Sequence, residues 1–391
     1  MPEPEPIALL KQLIAINSVN SDLVTGGAGE AGIAAWCAAW LREHGFDVHV
    51  LEERSGRPSV VGIVRGSGGG RSLMLNGHLD TVGIATYGSA EPDDHDAELA
   101  APFAAVEADG AIYGRGAFDM KGGLAAILVA ASRAAASGLA GDVLVALVAD
   151  EEFGSLGTEE VLRNFTADAA IVAEPSQLEL VVAHRGFAWF ELELTGRAAH
   201  GSMPEQGVDA IAHAALVLSA LNDLRARVEA RHRHPLLGFG TVRVSRISGG
   251  ADAATVAPSC SLTIERRTLP GESPDGTEAE LRAMLDQLAA TVPDFQYTLR
   301  RTVARGAFEA DPEWPIVQAV SANAERVFGQ PAARRGEPFW TDAGLIQEAG
   351  IPCLLIGVAG GGAHADVEWV TVASVLQLTD VLEGTIRDFC G

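Results

Sequence analysis

The sequence predicts an α/β architecture: a mixed central sheet flanked by helices and interrupted by an inserted α+β domain. Three observations carry this. Helical and strand periodicities alternate through the first 180 residues. The run Asp142-Val-Leu-Val-Ala-Leu-Val-Ala149 is continuously apolar, as in a strand buried on both faces. After residue 180 the pattern turns to half-buried strands and long helices, and the α/β style resumes near residue 312. A chain of 391 residues holds two or three domains at roughly 150 residues each.

The elements follow in order. Residues 6–17 and 30–44 carry apolar side chains at helical spacing (Ile7, Leu10, Leu13, Ile14; Ile33, Trp36, Cys37, Trp40, Leu41), and Gly45 ends the second helix. Apolar runs at 46–51, 59–65 and 72–76 predict strands. A helix over 120–137 starts directly after Asp119. The strand 142–149, a helix at 155–164 and a strand at 169–173 complete the first half. Residues 186–195 alternate as a half-buried strand through Phe187, Trp189, Glu191 and Glu193. A helix at 207–229, strands near 240–248 and 259–267, a helix at 277–290 and a strand at 295–301 follow. They suggest a β-β-α-β-β-α-β order around one antiparallel sheet. Helices at 314–328 and 342–349, the strand 352–356 and a helix from 371 close the chain. The expected domains are therefore residues 1–180 with 303–391, and an insertion at 181–302. The stretch Glu91-Pro-Asp-Asp-His-Asp96 reads as an exposed loop.

Composition excludes several functions. There are 52 Asp+Glu against 28 Lys+Arg, a formal charge of −24. Such a chain disfavours nucleic acid and anionic membrane as partners, since both are polyanions. The opening Met1-Pro-Glu-Pro-Glu-Pro6 lacks the basic and apolar segments of a signal peptide, and no apolar run approaches the ~20 residues of a membrane span. Cys37, Cys260, Cys353 and Cys390 lie too far apart for a zinc ribbon or a disulfide framework. A cytoplasmic protein is expected.

Ligands of open α/β sheets sit outside the carboxyl ends of the strands. Strand 72–76 leads into Gly77-His78-Leu79-Asp80. Strand 142–149 leads into Asp150-Glu151-Glu152. Strand 169–173 leads into Glu174, and strand 352–356 into a glycine-rich loop and His364. Asp119 opens a helix between the first two. Taken singly, Asp119 reads as a helix cap, Glu151 and Glu152 as solvated loop charges, and His78 as a core histidine. Together, carboxylates crowded at one edge repel unless cations sit among them. Imidazole and carboxylate donors without thiolate suit Zn²⁺ or a similar divalent ion in a catalytic setting. There are enough ligands for two metals bridged by one carboxylate. Asp80 is placed to hold the His78 tautomer, and adjacent Glu151 and Glu152 allow one acid to bind metal while the other moves protons.

These residues resemble the dimetal amidohydrolases and exopeptidases that include acetylornithine deacetylase, succinyl-diaminopimelate desuccinylase and glutamate-releasing carboxypeptidases. The matching segments are Gly77-His-Leu-Asp-Thr-Val82, Tyr113-Gly-Arg-Gly-Ala-Phe-Asp-Met-Lys-Gly-Gly123, Asp150-Glu-Glu152, Glu174-Pro175, Gly196-Arg-Ala-Ala-His-Gly-Ser202, Arg266-Arg-Thr-Leu-Pro-Gly271, and Ala363-His364 with Glu368. The resemblance implies a zinc-exopeptidase-like catalytic domain and a ferredoxin-like inserted domain that serves as lid and homodimer interface. It implies one metal held by His78, Asp119 and Glu174 and a second by Asp119, Glu152 and His364. Two divalent ions per subunit are expected, Zn²⁺ first, with Co²⁺ or Mn²⁺ as substitutes. A hydroxide bridging them would attack an amide, with Glu151 as general base and Asp80 orienting His78. A cis peptide is implied after Asp119. His200 would stabilise the oxyanion in the partner subunit's site.

The implied substrate is a small N-acyl amino acid. A carboxypeptidase or dipeptidase substrate is the alternative, and a scaffold that has lost catalysis is disfavoured by the presence of both Glu151 and His200. Arg267, with the loop 357–363 and Gly361 in it, would receive the substrate carboxylate. One departure stands out. Where the family often has Asn, this chain has Ala254, so Thr255 is the candidate for that polar contact. Apart from Asp80 and the acids of the metal centre, the acidic residues read as solvated surface.

Overall fold

The computed structural model describes residues 5–84 and 101–391. The acidic stretch 91–96 lies outside them. The chain forms two compact units. The first comprises Met1–Val182, Ala310–Arg335 and Thr341–Gly391; the second comprises Ala183–Glu309 and Gly336–Trp340.

The first unit is built on a mixed sheet. Its strands run in the order Asp47–Leu51, Ser59–Val64, Val143–Val148, Leu73–His78, Ala169–Val172, Cys353–Leu355, Leu180–His184. The four strands from Val143–Val148 to Cys353–Leu355 are mutually parallel, and antiparallel strands flank them. All four are fully buried, which explains the apolar runs that fill three of them and open Leu73–His78. The helix Gly122–Ala135 is buried from Gly122 through Ala131 and packs on Glu5–Ala15, Val372–Cys390 and the sheet. A helix that is apolar on every side needs neighbours on every side. The consequence for function is positional: parallel strands deliver their carboxyl ends to one edge.

The second unit is a four-stranded antiparallel sheet in the order Thr241–Gly249, Ser259–Thr268, Gly186–Thr195, Gln296–Arg305. Helices Ala210–Glu229 and Pro274–Thr291 pack on it through a core that includes Phe190, Leu192, Leu221, Ile264 and Leu285. Each helix starts on a capping side chain. Asp209 accepts from the N–H groups of Ile211 and Ala212, and Ser273 accepts from Gly276 with Pro274 in the first turn. The unit's order is β-α-β-β-α-β, which matches the six elements read between 186 and 301; the additional leading strand of the suggested β-β-α-β-β-α-β order is not part of this sheet. The neighbouring strand Leu180–His184 is buried throughout rather than alternating, and it pairs with the first unit's sheet through Leu355 and Val181.

A small sheet escapes the sequence reading: Gly360–Gly361, Trp369–Thr371, Ala111–Tyr113 and Val106–Ala108. Strands of two or three residues are too short to show a period. The helix expected directly after Asp119 begins later, at Gly122, because Asp119 and Met120 have non-helical backbone angles. The four cysteines are buried and free. Among the described residues no helix is long and apolar enough to cross a membrane.

Phe190 is fully buried at the centre of the second unit's core. Phe190→Ala is expected to cost about 3–5 kcal/mol of that unit's stability, read from chemical denaturation.

Candidate metal centre and active site

His78 closes the strand Leu73–His78 with its ring buried. Its Nδ1 donates to the main-chain oxygen of Asp80 at 2.9 Å, while the Asp80 carboxylate stands 3.7 Å away. The orienting contact from Asp80 is therefore made chiefly by its carbonyl, and it turns Nε2 toward the site. The Asp80 carboxylate does other work. Its Oδ1 accepts from the Glu151 N–H and its Oδ2 from the Glu152 N–H, both at 3.2 Å. One residue thus ties the end of one strand to the turn after the next.

Asp119 faces both ways. Its Oδ1 lies 3.0 Å from His78 Nε2, which is itself 3.7 Å from Glu174 Oε1. Its Oδ2 lies 3.5 Å from His364 Nε2, which is 3.1 Å from Glu152 Oε2. Asp119 is not the cap of the helix Gly122–Ala135, whose N-cap residue is Lys121. Glu151 completes the cluster: one ligand atom each from His78, Glu151 and Glu174 lies within 4.8 Å of the others, as do those of His78, Asp119 and Glu152.

The turn carrying Asp119 is held by Glu368. Its Oε1 accepts from the N–H groups of Phe118 and Asp119 at 2.9 and 2.8 Å, and its Oε2 from Gly116 and from Arg115, both at 2.8 Å. The Asp119–Met120 peptide is cis. Glycine is required on the loop after Cys353–Leu355. A Cβ on Gly357 would lie 1.9 Å from the Glu174 carbonyl oxygen, and Gly362 sits at φ +77° against Val367.

The electrostatics follow from crowding. Desolvation raises Glu151 well above the usual carboxylate range, and the charge of Glu174 adds to it. Desolvation likewise raises Glu174 and Glu152. Burial alone would discourage a charged His78, yet Glu174 and Asp119 outweigh it and hold the imidazole well above its ordinary value. Bonds to Asp119 and then Glu152 lift His364 to about 10. Protons here offset charge that divalent cations would offset more fully.

Asp342 was invisible as a site residue. An Asp opening a helix reads as a cap, but this one makes no cap bond. It is buried, accepts from Thr158 Oγ1 at 2.6 Å, and burial raises it to about 6. Its charge contributes to the raised values of Glu151 and Glu174. Glu30, Asp150, Asp342 and Glu368 are all buried, so the acids outside the proposed ligands are not simply a solvated surface.

The other sequence-derived candidates lie in the second unit, except Gly361, which pairs with Trp369 in the small sheet. His200 is exposed in the turn before the helix Ala210–Glu229, bridged through its backbone to Thr255. The Ser202 N–H donates to its Nδ1 at 3.2 Å, so the neutral ring carries its proton on Nε2. Thr255 Oγ1 donates to Asp252 at 3.0 Å. Arg267 donates from Nε to Glu265 Oε1 at 3.1 Å, its Nη2 pairs with the same oxygen at 2.9 Å, and it lies over the Phe187 ring at 5.4 Å.

The sequence profile of peptidase family M20/M25/M40 matches residues 74–388, a span that takes in the whole cluster. The chain belongs to this family. It is 30% identical to the acetylornithine deacetylase of Vibrio atlanticus (strain LGP32), over 99% of both chains. It is also 30% identical to the N-formyl-4-amino-5-aminomethyl-2-methylpyrimidine deformylase of Bacillus subtilis (strain 168), over 92% of this chain and 89% of that one. Its fold matches Bacillus subtilis YXEP, described as a dinuclear metal binding peptidase from the M20 family, with a TM-score of 0.73, 17% identity and coverage of 98% of each chain. The protein is accordingly an M20 hydrolase that acts on amide bonds.

The residues fit a metal pair. The donors are imidazole nitrogen and carboxylate oxygen, a set found in catalytic zinc sites. Donor atoms ~2.1 Å from a tetrahedral ion stand roughly 3.4 Å apart, close to the separations around Asp119. Glu152 Oε1 is buried and has no hydrogen-bond partner among the described residues, and a metal ion would coordinate it. Two divalent ions are therefore the cofactor class this site accommodates. Chelation is expected to abolish amide hydrolysis, and readdition of Zn²⁺, Co²⁺ or Mn²⁺ to restore it. Saturation at about 100 times Kd adds about 2.7 kcal/mol of stability, so the melting temperature should rise on titration. A melting temperature indifferent to all three ions would remove the assignment.

Proposed function

We propose that this M20 hydrolase cleaves the amide bond of a small N-acyl amino acid, in the manner of a deacetylase or desuccinylase, with Glu151 as general base. The observation that carries the reading is Asp119, whose two oxygens face two separate His–Glu pairs with Glu151 beside them. The full-length similarity to an acetylornithine deacetylase supports an acyl amino acid over a longer peptide.

His78, Asp119 and Glu174 would hold one ion and Asp119, Glu152 and His364 the other, Zn²⁺ being the first choice. Such a pair supplies Lewis acidity to a water and to the substrate carbonyl. The chain's own residues do the rest. Glu151, whose basicity is raised by burial and by Glu174, takes the proton of the attacking water and passes it to the leaving nitrogen. His200 donates from Nε2 to the oxyanion that forms on the substrate. In this reading it serves the partner's site in a homodimer built through the second unit. Arg267, held in place by Glu265, receives the substrate carboxylate with the loop 357–363, including Gly361; Ala254 stands where the family often has Asn, and Thr255 beside it is the candidate for that polar contact.

A panel of N-acetyl and N-succinyl amino acids and dipeptides tests the substrate class. Turnover of dipeptides alone would replace the deacylase reading with a peptidase one. Glu151→Ala is expected to lower kcat by about 10²–10⁴-fold with metal content retained. Substantial remaining turnover would remove the base assignment.

His200→Ala is expected to lose about 10²–10³-fold in kcat. Mixing it with inactive Glu151→Ala subunits should restore activity, because the heterodimer contains one site with both groups. No recovery after confirmed subunit exchange would place His200 outside a trans role.

A further inference from the structure

We propose that Asn20 is a positioning residue for the Glu151–Glu152 turn, backed by Arg57 through Asp150. Asp80 and Asp150 are buried carboxylates on either side of the Asn20 amide. Asn20 Nδ2 donates to Asp80 Oδ2 at 2.7 Å and to Asp150 Oδ1 at 3.0 Å. Its Oδ1 accepts from the N–H groups of Asp22 at 2.9 Å and Leu23 at 3.0 Å. Carboxylates only accept and backbone N–H groups only donate, so chemistry fixes which end of the amide faces which way.

Arg57 stands behind. Its side chain is 3% exposed and forks onto Glu30, Nε to Oε2 and Nη2 to Oε1, both at 2.7 Å. Nη2 also donates to Asp150 Oδ1 at 2.6 Å, and Nη1 pairs with Asp22. Asp150 therefore receives the guanidinium and the amide on one oxygen. It also sits at φ 71°, a conformation a non-glycine residue keeps only where its surroundings over-determine it.

The chain of contacts runs from Arg57 to Asp150, to Asn20, to Asp80, and from Asp80 to the N–H groups of Glu151 and Glu152 and to the His78 ring. A buried ion cluster is a poor source of stability compared with apolar packing. What it provides here is orientation. Without the Asn20 amide, Asp80 and Asp150 lose a shared donor and repel, and the displaced Asp80 carries both the base-bearing turn and His78 with it. The inference rests on the proposed reading of Glu151 and the metal ligands.

The test uses full-length, metal-saturated Asn20→Ala, Asn20→Asp and Arg57→Lys beside the wild type. Metal affinity is read by competition with a chromogenic chelator, kcat and KM on the best substrate of the panel, and folding by thermal melting. Asn20→Ala is expected to lower kcat and metal affinity about 10–100-fold each, with KM within about threefold of wild type. Asn20→Asp should lose more, since it adds a third carboxylate, and Arg57→Lys less, since it keeps charge but loses the fork.

A folded Asn20→Ala with wild-type kcat and metal affinity would overturn the proposal. Asn20→Ser, which keeps a hydroxyl donor, is measured in parallel. If neither Asn20→Ala nor Asn20→Ser folds, the amide is structural and the proposal also falls. Chelator competition needs no substrate, so a wild type that binds metal but turns over nothing in the panel would sink the functional reading while affinity still decides the role of Asn20.

Discussion

The first unit is organised around one constraint: carboxylates gathered at a single sheet edge have to be neutralised or given donors. Four buried parallel strands end there, and nearly every polar contact nearby answers to that crowding. Asp119 is met by two imidazoles, Glu368 by three backbone N–H groups and Arg115, and Asp150 by Arg57 and Asn20. Where donors run out, the carboxyls are held toward their neutral forms, as with Glu151 and Glu174. A divalent pair is the economical answer to such a field, because it places the largest positive charges between the largest negative ones.

The clustering of histidines and carboxylates was legible because strand ends and short motifs are local. His78, Glu152, Glu174 and His364 each follow a strand whose apolar run marks its end, and parallel topology brings those ends together. What supports them was not legible. Asn20, Arg57 and Glu30 lie in segments whose local pattern marks no site; Asn20 meets Asp80 and Asp150 across separations of up to 130 positions, and Arg57 joins Glu30 to Asp150. No local pattern encodes a pairing that only the finished fold creates. Asp342 failed for a different reason, since capping is the commoner role for an Asp at a helix start.

The same logic explains the misread secondary structure. The strand Leu180–His184 sits one residue from Gly186–Thr195, yet the first is buried on both faces and the second alternates. Their pairing puts them in two different sheets. The small sheet formed with Gly360–Gly361 depends on glycine's lack of a Cβ, because a side chain there would strike Trp369. Its signal is steric and not periodic.

Recognition of the substrate poses a different problem from the metal chemistry. In the proposed reading, an arginine meant for a substrate carboxylate in a strongly acidic protein must avoid being captured by the wrong acid. Arg267 is engaged by Glu265 through Nε and Nη2, and Glu265 also accepts from Trp189 and Arg243. The carboxylate is thus shared among three donors and itself pinned. Arg267 then has its plane set by Glu265 on one edge and by the Phe187 ring at 5.4 Å. A guanidinium carries five N–H groups, so any further acceptor is met by those not facing Glu265. Prior orientation lowers the entropy lost on binding. In the role proposed for Arg267, Glu265 steadies the guanidinium more than it competes for it.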